Sequence, residues 1–489
     1  MLFHLGNKED ALTQTLEALR IDPFNFGAIF IKNILSENEN QFREFKEIMR
    51  GEAHNYNETA LLFTSAGMTE YALKVWEIAQ SDDAISPMSL YYKGWCLVQA
   101  GKIAEGKETF QKACEMPEQI CFTNRLEAIL ALQTALEVNP ADARAAYYLG
   151  NIYYDKKQVD LAEKYWELSL ESNPTFPTVW RNLALIYFNK KNYPQKALEY
   201  MEKAFSLNDS DPRILMELDQ LYKKLHKNHE ERLLFLEQHL AEVEKRDDLI
   251  LERATLLNQT GQYQKAIDII DNHIFHPWEG GEGKVPAQYQ IARVALAKES
   301  IKNKNYDLAI KLLEECLDYP HHLGEGKLYG AQENDFLYYL GCAWMAKGES
   351  EKAIEFWGKA TEGPTEPAPA LYYNDAKPDK IYYAGLAYRA LGQEEKARSY
   401  FNRLADYGRQ HIFDKITMDY FAVSLPDLLI WDESLDVKNK VHCLYMLALG
   451  HAGLGNKMLS KKYINEAFKL DPNHQGIQQF FKSENELSC

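Results

Sequence analysis

Long apolar runs, a basic surplus, cysteine pairs and abundant proline or glycine are all missing from this chain. No apolar stretch approaches the roughly 18 residues needed to cross a bilayer, and Met1 to Asp22 alternates charge with apolarity where a signal peptide would carry an apolar core. The 72 acidic residues outnumber the 55 basic ones, a net charge of −17, and no local basic cluster offsets the imbalance. Nucleic acid and membrane insertion are therefore not expected. The cysteines Cys96, Cys114, Cys121, Cys316, Cys342, Cys443 and Cys489 are odd in number, widely spaced and without a CxxC pair. Neither a disulfide framework nor a zinc site is suggested, and a reducing, cytoplasmic compartment fits best. With 17 Pro and 26 Gly among 489 residues, and 46% apolar residues, the chain is neither disordered nor collagen-like and has material for a continuous core.

What is present is a repeat near 34 residues. The clearest unit runs from Ala143 to Pro174, with Leu149, Gly150 and Tyr153 in one helix and Ala162, Trp166 and Ser169 in the next, closed by Asn173 and Pro174. Small Gly150 and Ala162 suit a close helix crossing, Tyr153 and Trp166 are expected to fill the gaps to neighbouring units, and Pro174 stops the second helix. These offsets resemble those of the tetratricopeptide repeat. The frame recurs with Ala60, Ala72, Trp76 and Ala79, with Gly94, Gly106, Phe110 and Ala113, and with Trp180, Leu183, Ala184, Tyr187, Ala197 and Ala204. Weaker units follow around Leu218 to Leu240 and Ala254 to His273. Better ones centre on Ala297 and Ala309, on Gly341, Ala353 and Trp357, on Gly385, Ala397 and Phe401, and on Leu447, Ala467 and Pro472. Turns are marked at Gly67, Gly101, Gly261, Gly348, Gly392 and Gly455. The fold class is thus all-α, a right-handed superhelix of about ten helical hairpins. It divides into an N-terminal array over 1–246, a C-terminal array with inserted loops over 247–481, and a polar tail over 482–489.

Both ends carry information. Gly6, Ala11, Ala18 and Pro23 match the second half of a unit, so the first repeat reads as truncated, with an upstream domain expected before it. Asn473 to Phe481 reads as a short helix covering the last unit.

Four connections in the C-terminal half are far longer than a hairpin array needs. They include His276-Pro277-Trp278-Glu279-Gly280-Gly281-Glu282-Gly283-Lys284, then His321 to Asp335 with Gly324-Glu325-Gly326-Lys327, Glu333 and Asp335, then Gly363 to Lys380 with Tyr372 and Tyr373, then Phe413 to Lys440 with Trp431. Equivalent loops of a solenoid lie along one edge, so these predict a ledge rich in His, Trp, Tyr, Glu and Lys. His276, Trp278, Glu279, Glu282, Lys284, His321, Glu325, Lys327, Glu333, Asp335, Tyr372 and Tyr373 are the candidate binding residues. Three readings of them stay open. The loops brace one another, they hold a ligand or partner domain, or they form a catalytic or metal centre. A phosphate-binding loop is excluded because Trp278 and Val285 stand where Gly and Ser or Thr are required. The histidines lack metal-ligand spacing on a common helix face. Paired loop carboxylates beside Trp278 would suit glycan binding or hydrolysis, as an alternative to protein binding. No catalytic residue or cofactor is assigned. Asn151 and Tyr154 in one unit and Asn182 and Phe188 in the next should face the inner groove, which lacks a Lys/Arg clamp for a peptide carboxylate.

The His276 to Lys284 run, with Gly324 to Lys327 and Ala331 to Asp335, also resembles the C-terminal repeat region of bacterial multi-domain proteins in which a mutarotase-like β-domain precedes the array. That resemblance covers roughly Phe275 to Asn456. It implies a link to carbohydrate metabolism and a partner domain, or a glycan, against the loop ledge. The β-domain itself is absent from this chain.

Overall fold

The computed structural model describes residues 7–35, 42–117, 121–278, 280–369, 375, 377–417 and 430–483, and among these all regular structure is helical. Two compact units are resolved, Met1–Lys191 and Asn192–Cys489. The first contains α1 (Lys8–Ile21), α2 (Phe26–Leu35), α3 (Arg43–Met49), α4 (Ala53–Ser65), α5 (Thr69–Ser81), α6 (Pro87–Gln99), α7 (Ile103–Glu115), α8 (Glu127–Val138), α9 (Ala143–Asp155), α10 (Val159–Ser172) and α11 (Pro177–Asn189). The second contains α12 (Pro194–Leu207), α13 (Pro212–Lys224), α14 (His229–Gln238), α15 (Leu240–Val243), α16 (Asp247–Gln259), α17 (Tyr263–Asp271), α18 (Lys284–Lys302), α19 (Tyr306–Glu315), α20 (Asn334–Lys347), α21 (Ser350–Ala360), α22 (Pro378–Ala390), α23 (Glu394–His411), α24 (Leu435–Gly453), α25 (Lys457–Leu470) and α26 (Gln475–Ser483).

Helix boundaries follow local chemistry. Proline opens α6, α11, α12, α13 and α22, where its fixed φ suits the first turn and its missing N–H costs nothing. Ser86 and Ser89 close a reciprocal capping box at α6. Between the helices of a hairpin the chain passes through the left-handed region. Gly67, Gly101, Gly261, Gly348, Gly392 and Gly455 take it at φ between 72° and 94°, at the turns expected from the sequence. Lys157 and Lys304 take it without glycine at φ 59° and 61°.

Packing inside a hairpin is set by one repeated contact. The second helix buries a small residue, then a large one, then a small one at helical spacing: Ala72, Trp76 and Ala79 in α5, Ala162, Trp166 and Ser169 in α10, and Ala353, Trp357 and Ala360 in α21. The large residue lies on a glycine of the first helix. A Cβ at Gly150 would fall 2.2 Å from the Trp166 indole, and one at Gly341 would fall 2.3 Å from that of Trp357. Trp166 therefore seals its own hairpin, not the gap to a neighbour. Its indole N–H donates to the Tyr147 carbonyl at 3.2 Å and to Asn151 Oδ1 at 3.1 Å. Gly94 with Phe110 and Gly385 with Phe401 repeat the arrangement.

Departures from the repeat are local. In the first unit α8 stands without a paired first helix and packs on α6 and α9, burying Ala128, Leu132 and Ala135. In the second unit Arg232 is wholly buried and makes two hydrogen bonds to Asp219, at 3.0 and 2.7 Å, and one to Glu252 at 2.7 Å. Lys223 adds a 3.0 Å contact to Glu252, so four charges tie α13, α14 and α16 together. The thiols of Cys96, Cys114, Cys121, Cys316 and Cys443 are free. No helix among the described residues is long and apolar enough to cross a membrane.

Candidate functional site

Two of the long loops, between α17 and α18 and between α19 and α20, are built onto each other. Asp247, at the first position of α16, anchors the first. Its carboxylate accepts from the His276 backbone N–H at 2.7 Å and contacts His273 Nε2 at 2.8 Å and His276 Nδ1 at 3.1 Å. Burial pushes the Asp247 carboxyl up, but those hydrogen bonds bring it below the ordinary range. Phe275 is buried, and its N–H donates to the His322 carbonyl of the second loop at 2.8 Å. Gly324 makes that crossing possible. It sits at φ +75°, and a Cβ there would lie 2.5 Å from the Phe275 carbonyl oxygen. Beneath the pair, Arg293 of α18 joins Asp271 at 2.6 Å and Glu315 at 3.0 Å with its guanidinium 3.6 Å from the Tyr289 ring centre.

Between the loops lies a recess of about 300 Å³, lined by His276, Pro277, Trp278, Gly281, Glu282, Val285, Leu323 and Glu325. Val285 and Leu323 are almost fully buried. Trp278 is pressed against Gly281, where a Cβ would come within 2.3 Å of the indole. Glu325 Oε2 accepts from the Gly283 N–H at 2.8 Å, bridging the loops. Burial raises the Glu325 carboxyl, the Gly283 hydrogen bond opposes this, and the charge of Glu282 adds to the rise. An apolar floor beside two carboxylates can seat a small ligand or one anchoring side chain of a partner.

Of the residues expected to form the site, the structure gathers His276, Trp278, Glu282 and Glu325 at this recess. Lys284 opens α18 and is exposed. His321 lies exposed in a short 3-10 turn over His321–Leu323. Neither lines the recess. Lys327 pairs with Glu333 and donates to the Leu317 carbonyl at 2.8 Å, and Asp335 pairs with Lys380. Glu279, Tyr372 and Tyr373 lie outside the described residues. The second and third loops also meet, as Gln332 contacts the Asp375 carbonyl at 3.4 Å and the Lys377 N–H at 3.1 Å. The described part of the fourth turns away: Trp431, 1% exposed, donates its indole N–H to the Glu217 carbonyl of α13 at 2.8 Å.

The groove residues expected in the first unit are partly spent on packing. Asn151 Oδ1 accepts from both Trp166 and Asn182, the latter at 3.3 Å, and Tyr154 packs on Trp166 with ring centres 5.5 Å apart. Sequence reasoning overlooked Asp247, Val285 and Leu323. Asp247 had a signal, since an acidic residue at a helix start beside a histidine-bearing loop is a ready anchor. The floor residues had none beyond being apolar.

Sequence profiles described as tetratricopeptide repeat match residues 123–175, 177–211, 381–407 and 441–474. Among curated proteins, the chain is 28% identical over 156 residues to the anaphase-promoting complex subunit CDC16 of Saccharomyces cerevisiae, covering 30% of this chain and 18% of that protein. It is 27% identical over 160 residues to the type IV pilus assembly protein PilF of Pseudomonas aeruginosa, covering 30% of this chain and 61% of that one. The matches thus span 18% and 61% of the two relatives' lengths, under two thirds of each. Among solved structures, YrrB, a tetratricopeptide protein with an unusual peptide-binding site, shares 16% identity over 47% of this chain and 90% of its own, with a TM-score of 0.27. Likeness that low carries no functional argument. The repeat matches and the helical hairpins together make the fold an all-α tetratricopeptide-repeat array, an architecture that serves as a scaffold for protein interaction.

Proposed function

We propose that the loop ledge of the second unit is the partner-contacting surface of this scaffold, and that the recess around Trp278 seats an anchoring group of a bound polypeptide. The observation that carries this reading is the construction of the recess. Two loops longer than a hairpin array needs are cross-braced at Gly324 and through Glu325, the first of them is anchored to α16 by Asp247, and they hold an indole and two carboxylates at its wall. Bracing rigidifies a loop edge, and rigid loops on a solenoid bind at low entropic cost. The partner that the loop motifs favour is a β-rich domain of the same parent polypeptide. The two curated relatives are, by name, a subunit of a complex and an assembly protein, which agrees with a scaffold.

The test is a selection of binders from a displayed peptide library on the intact chain, counter-screened on Trp278→Ala and Glu282→Gln. Binders should be lost from both variants while helical content and melting temperature stay unchanged. Binders indifferent to both changes would remove the recess from the proposal. A second reading, a sugar in the recess, is favoured by Trp278 beside Glu282 and Glu325. Calorimetric titration with oligosaccharides separates it, since heat that vanishes in Trp278→Ala would mark a glycan site.

A further inference from the structure

The last helix does more than cover the final hairpin. Its apolar side is fixed to the C-terminal hairpins: Ile477 is fully buried and Phe480 nearly so, in a core with Ile381, Leu444 and Ile464. Phe481 packs on Phe468 with ring centres 5.5 Å apart. Gly476 permits close approach, since a Cβ there would lie 2.8 Å from the Tyr445 hydroxyl.

The other side of the segment reaches back across the unit to helices some two hundred residues earlier, through a set of hydrogen bonds and with Lys482 over the Tyr263 ring at 5.3 Å. Asn473 donates from Nδ2 to the Lys223 carbonyl at 3.0 Å, meets His229 Nε2 through Oδ1 at 3.0 Å, and accepts at its own carbonyl from Gln259 at 3.0 Å. Gln475 and Gln288 form a reciprocal amide pair at 2.8 and 2.9 Å. Lys482 donates to the Tyr263 hydroxyl at 3.0 Å and to the Gln259 carbonyl at 3.4 Å.

This polar side is incompletely matched. A void of about 20 Å³ remains among Asn258, Gln259, Tyr263, Ile291, Ala295, Gln475, Gln478, Gln479 and Lys482. That is room for about one water. Facing this region, Asn258 Oδ1 and Gln259 Oε1 are buried acceptors without a hydrogen-bond partner, and Asn258 is only 3% exposed. Hydrogen bonds exchanged with water are each worth little net, whereas an unmet buried acceptor carries a desolvation cost. A polypeptide that supplied donors to these two oxygens would therefore hold the surface better than the chain's own segment does.

We infer that the face formed by Asn258, Gln259, Tyr263 and Gln288 is a polypeptide-binding slot, occupied in cis by residues 473–482 as a displaceable latch. Its occupant is an amide-bearing helix with aromatic residues on the opposite side, the pattern Asn473, Gln475, Gln478 with Phe480 and Phe481. The inference rests on the reading of this chain as a polypeptide-binding scaffold, and it concerns a surface separate from the loop recess. Loss of recess binding and loss of slot binding are consequently distinguishable.

The experiment uses the full chain and a fluorescein-labelled peptide of residues 471–483. In the triple variant Gln475→Ala, Gln478→Ala, Lys482→Ala the polar side is cut and the apolar side kept. Amides of 473–482 should then exchange with deuterium at least tenfold faster than in the wild type, and the peptide should bind at least tenfold more tightly. Adding Gln288→Ala on the slot itself should reverse the gain in binding. Unchanged exchange, or equal peptide binding by wild type and variant, including none by either, would overturn the inference. Should the triple variant lose its cooperative melt, Gln288→Ala alone breaks the amide pair from the other side and must still speed exchange of 473–482. If it does not, the segment is a fixed cap.

Discussion

Gly341 and Gly358 lie on the two helices of one hairpin, α20 and α21, and the same substitution to alanine should move stability in opposite directions. At Gly358 an added Cβ meets nothing within 4 Å. Alanine is better than glycine in a helix by about 1 kcal/mol, and near a helix end by somewhat less, so Gly358→Ala should stabilise by about 0.5–1 kcal/mol. At Gly341 the same gain is opposed by a Cβ 2.3 Å from Cδ1 and 2.4 Å from Nε1 of Trp357. Carbon atoms prefer roughly 3.5–4 Å, so the indole must move by more than about 1 Å. It is 5% exposed and held by its N–H bond to the Tyr338 carbonyl at 3.2 Å. Overpacking costs about 1–3 kcal/mol and a lost hydrogen bond about 1 kcal/mol more, leaving a net destabilisation of about 1–3 kcal/mol. The hairpin α4/α5 shows the alternative solution. Alanine, Ala60, stands there at the equivalent point, and the Trp76 indole N–H turns to the Asn57 side chain at 3.0 Å. Residue 338, at the position equivalent to Asn57, is tyrosine and has no side-chain amide oxygen to offer. Urea titration followed by circular dichroism, with deuterium exchange to localise the change, measures both variants. A Gly341→Ala protein as stable as Gly358→Ala would refute the reasoning.

Arg232→Ala should cost about 3–5 kcal/mol, because it strands the buried Asp219 carboxylate and leaves Glu252 paired with Lys223 alone, and replacing Asp219 and Arg232 together by leucine should recover most of the loss in the same denaturation assay. Asp247 has a depressed carboxyl, so its stabilisation is present above the ordinary carboxylate pKa and lost as pH falls through the depressed value. The stability difference between wild type and Asp247→Asn should therefore be largest at neutral pH and shrink toward zero in acid titration. Glu325 has a raised carboxyl, so its contribution is present at low pH and lost as pH rises through the raised value. Glu325→Gln should thus raise the urea midpoint at pH 7, with the gain vanishing near the ordinary glutamate pKa of about 4.3.

What the sequence made legible was whatever repeats. Glycine against aromatic, alanine at the crossing, and glycine in the left-handed turn are short-range demands made once per hairpin, so each recurs as a visible offset. Gly150 with Trp166 and Gly341 with Trp357 show this: the offset recurs visibly, although Trp166 was expected at the gap to a neighbouring unit and seals its own hairpin instead. The site was legible in part for a different reason. The loops were conspicuous as excess length, and four of the candidate residues do share one recess. Which four depended on where Phe275 and Gly324 cross, and no period encodes that. Residues such as Lys327, Glu333 and Asp335 look like binding groups by type but are spent on Leu317, on one another and on Lys380.

Contacts that close the second unit belong to a third class. Whether Asn473 meets Lys223, or Trp431 meets Glu217, depends on the small rotation each hairpin adds to the one before, summed over the whole unit. Sequence periodicity identifies the hairpins and is silent on that sum. Even so, one trace of closure was present in α26. A helix that only covers an end would turn charged residues to water, yet this one carries Gln475, Gln478 and Gln479 opposite Ile477 and Phe480. Amides both donate and accept, which suits a protein surface rich in the same groups, here Asn258, Gln259 and Gln288. The composition of that face therefore argues for a partner surface over solvent, and the position of the partner is what only the folded unit supplies.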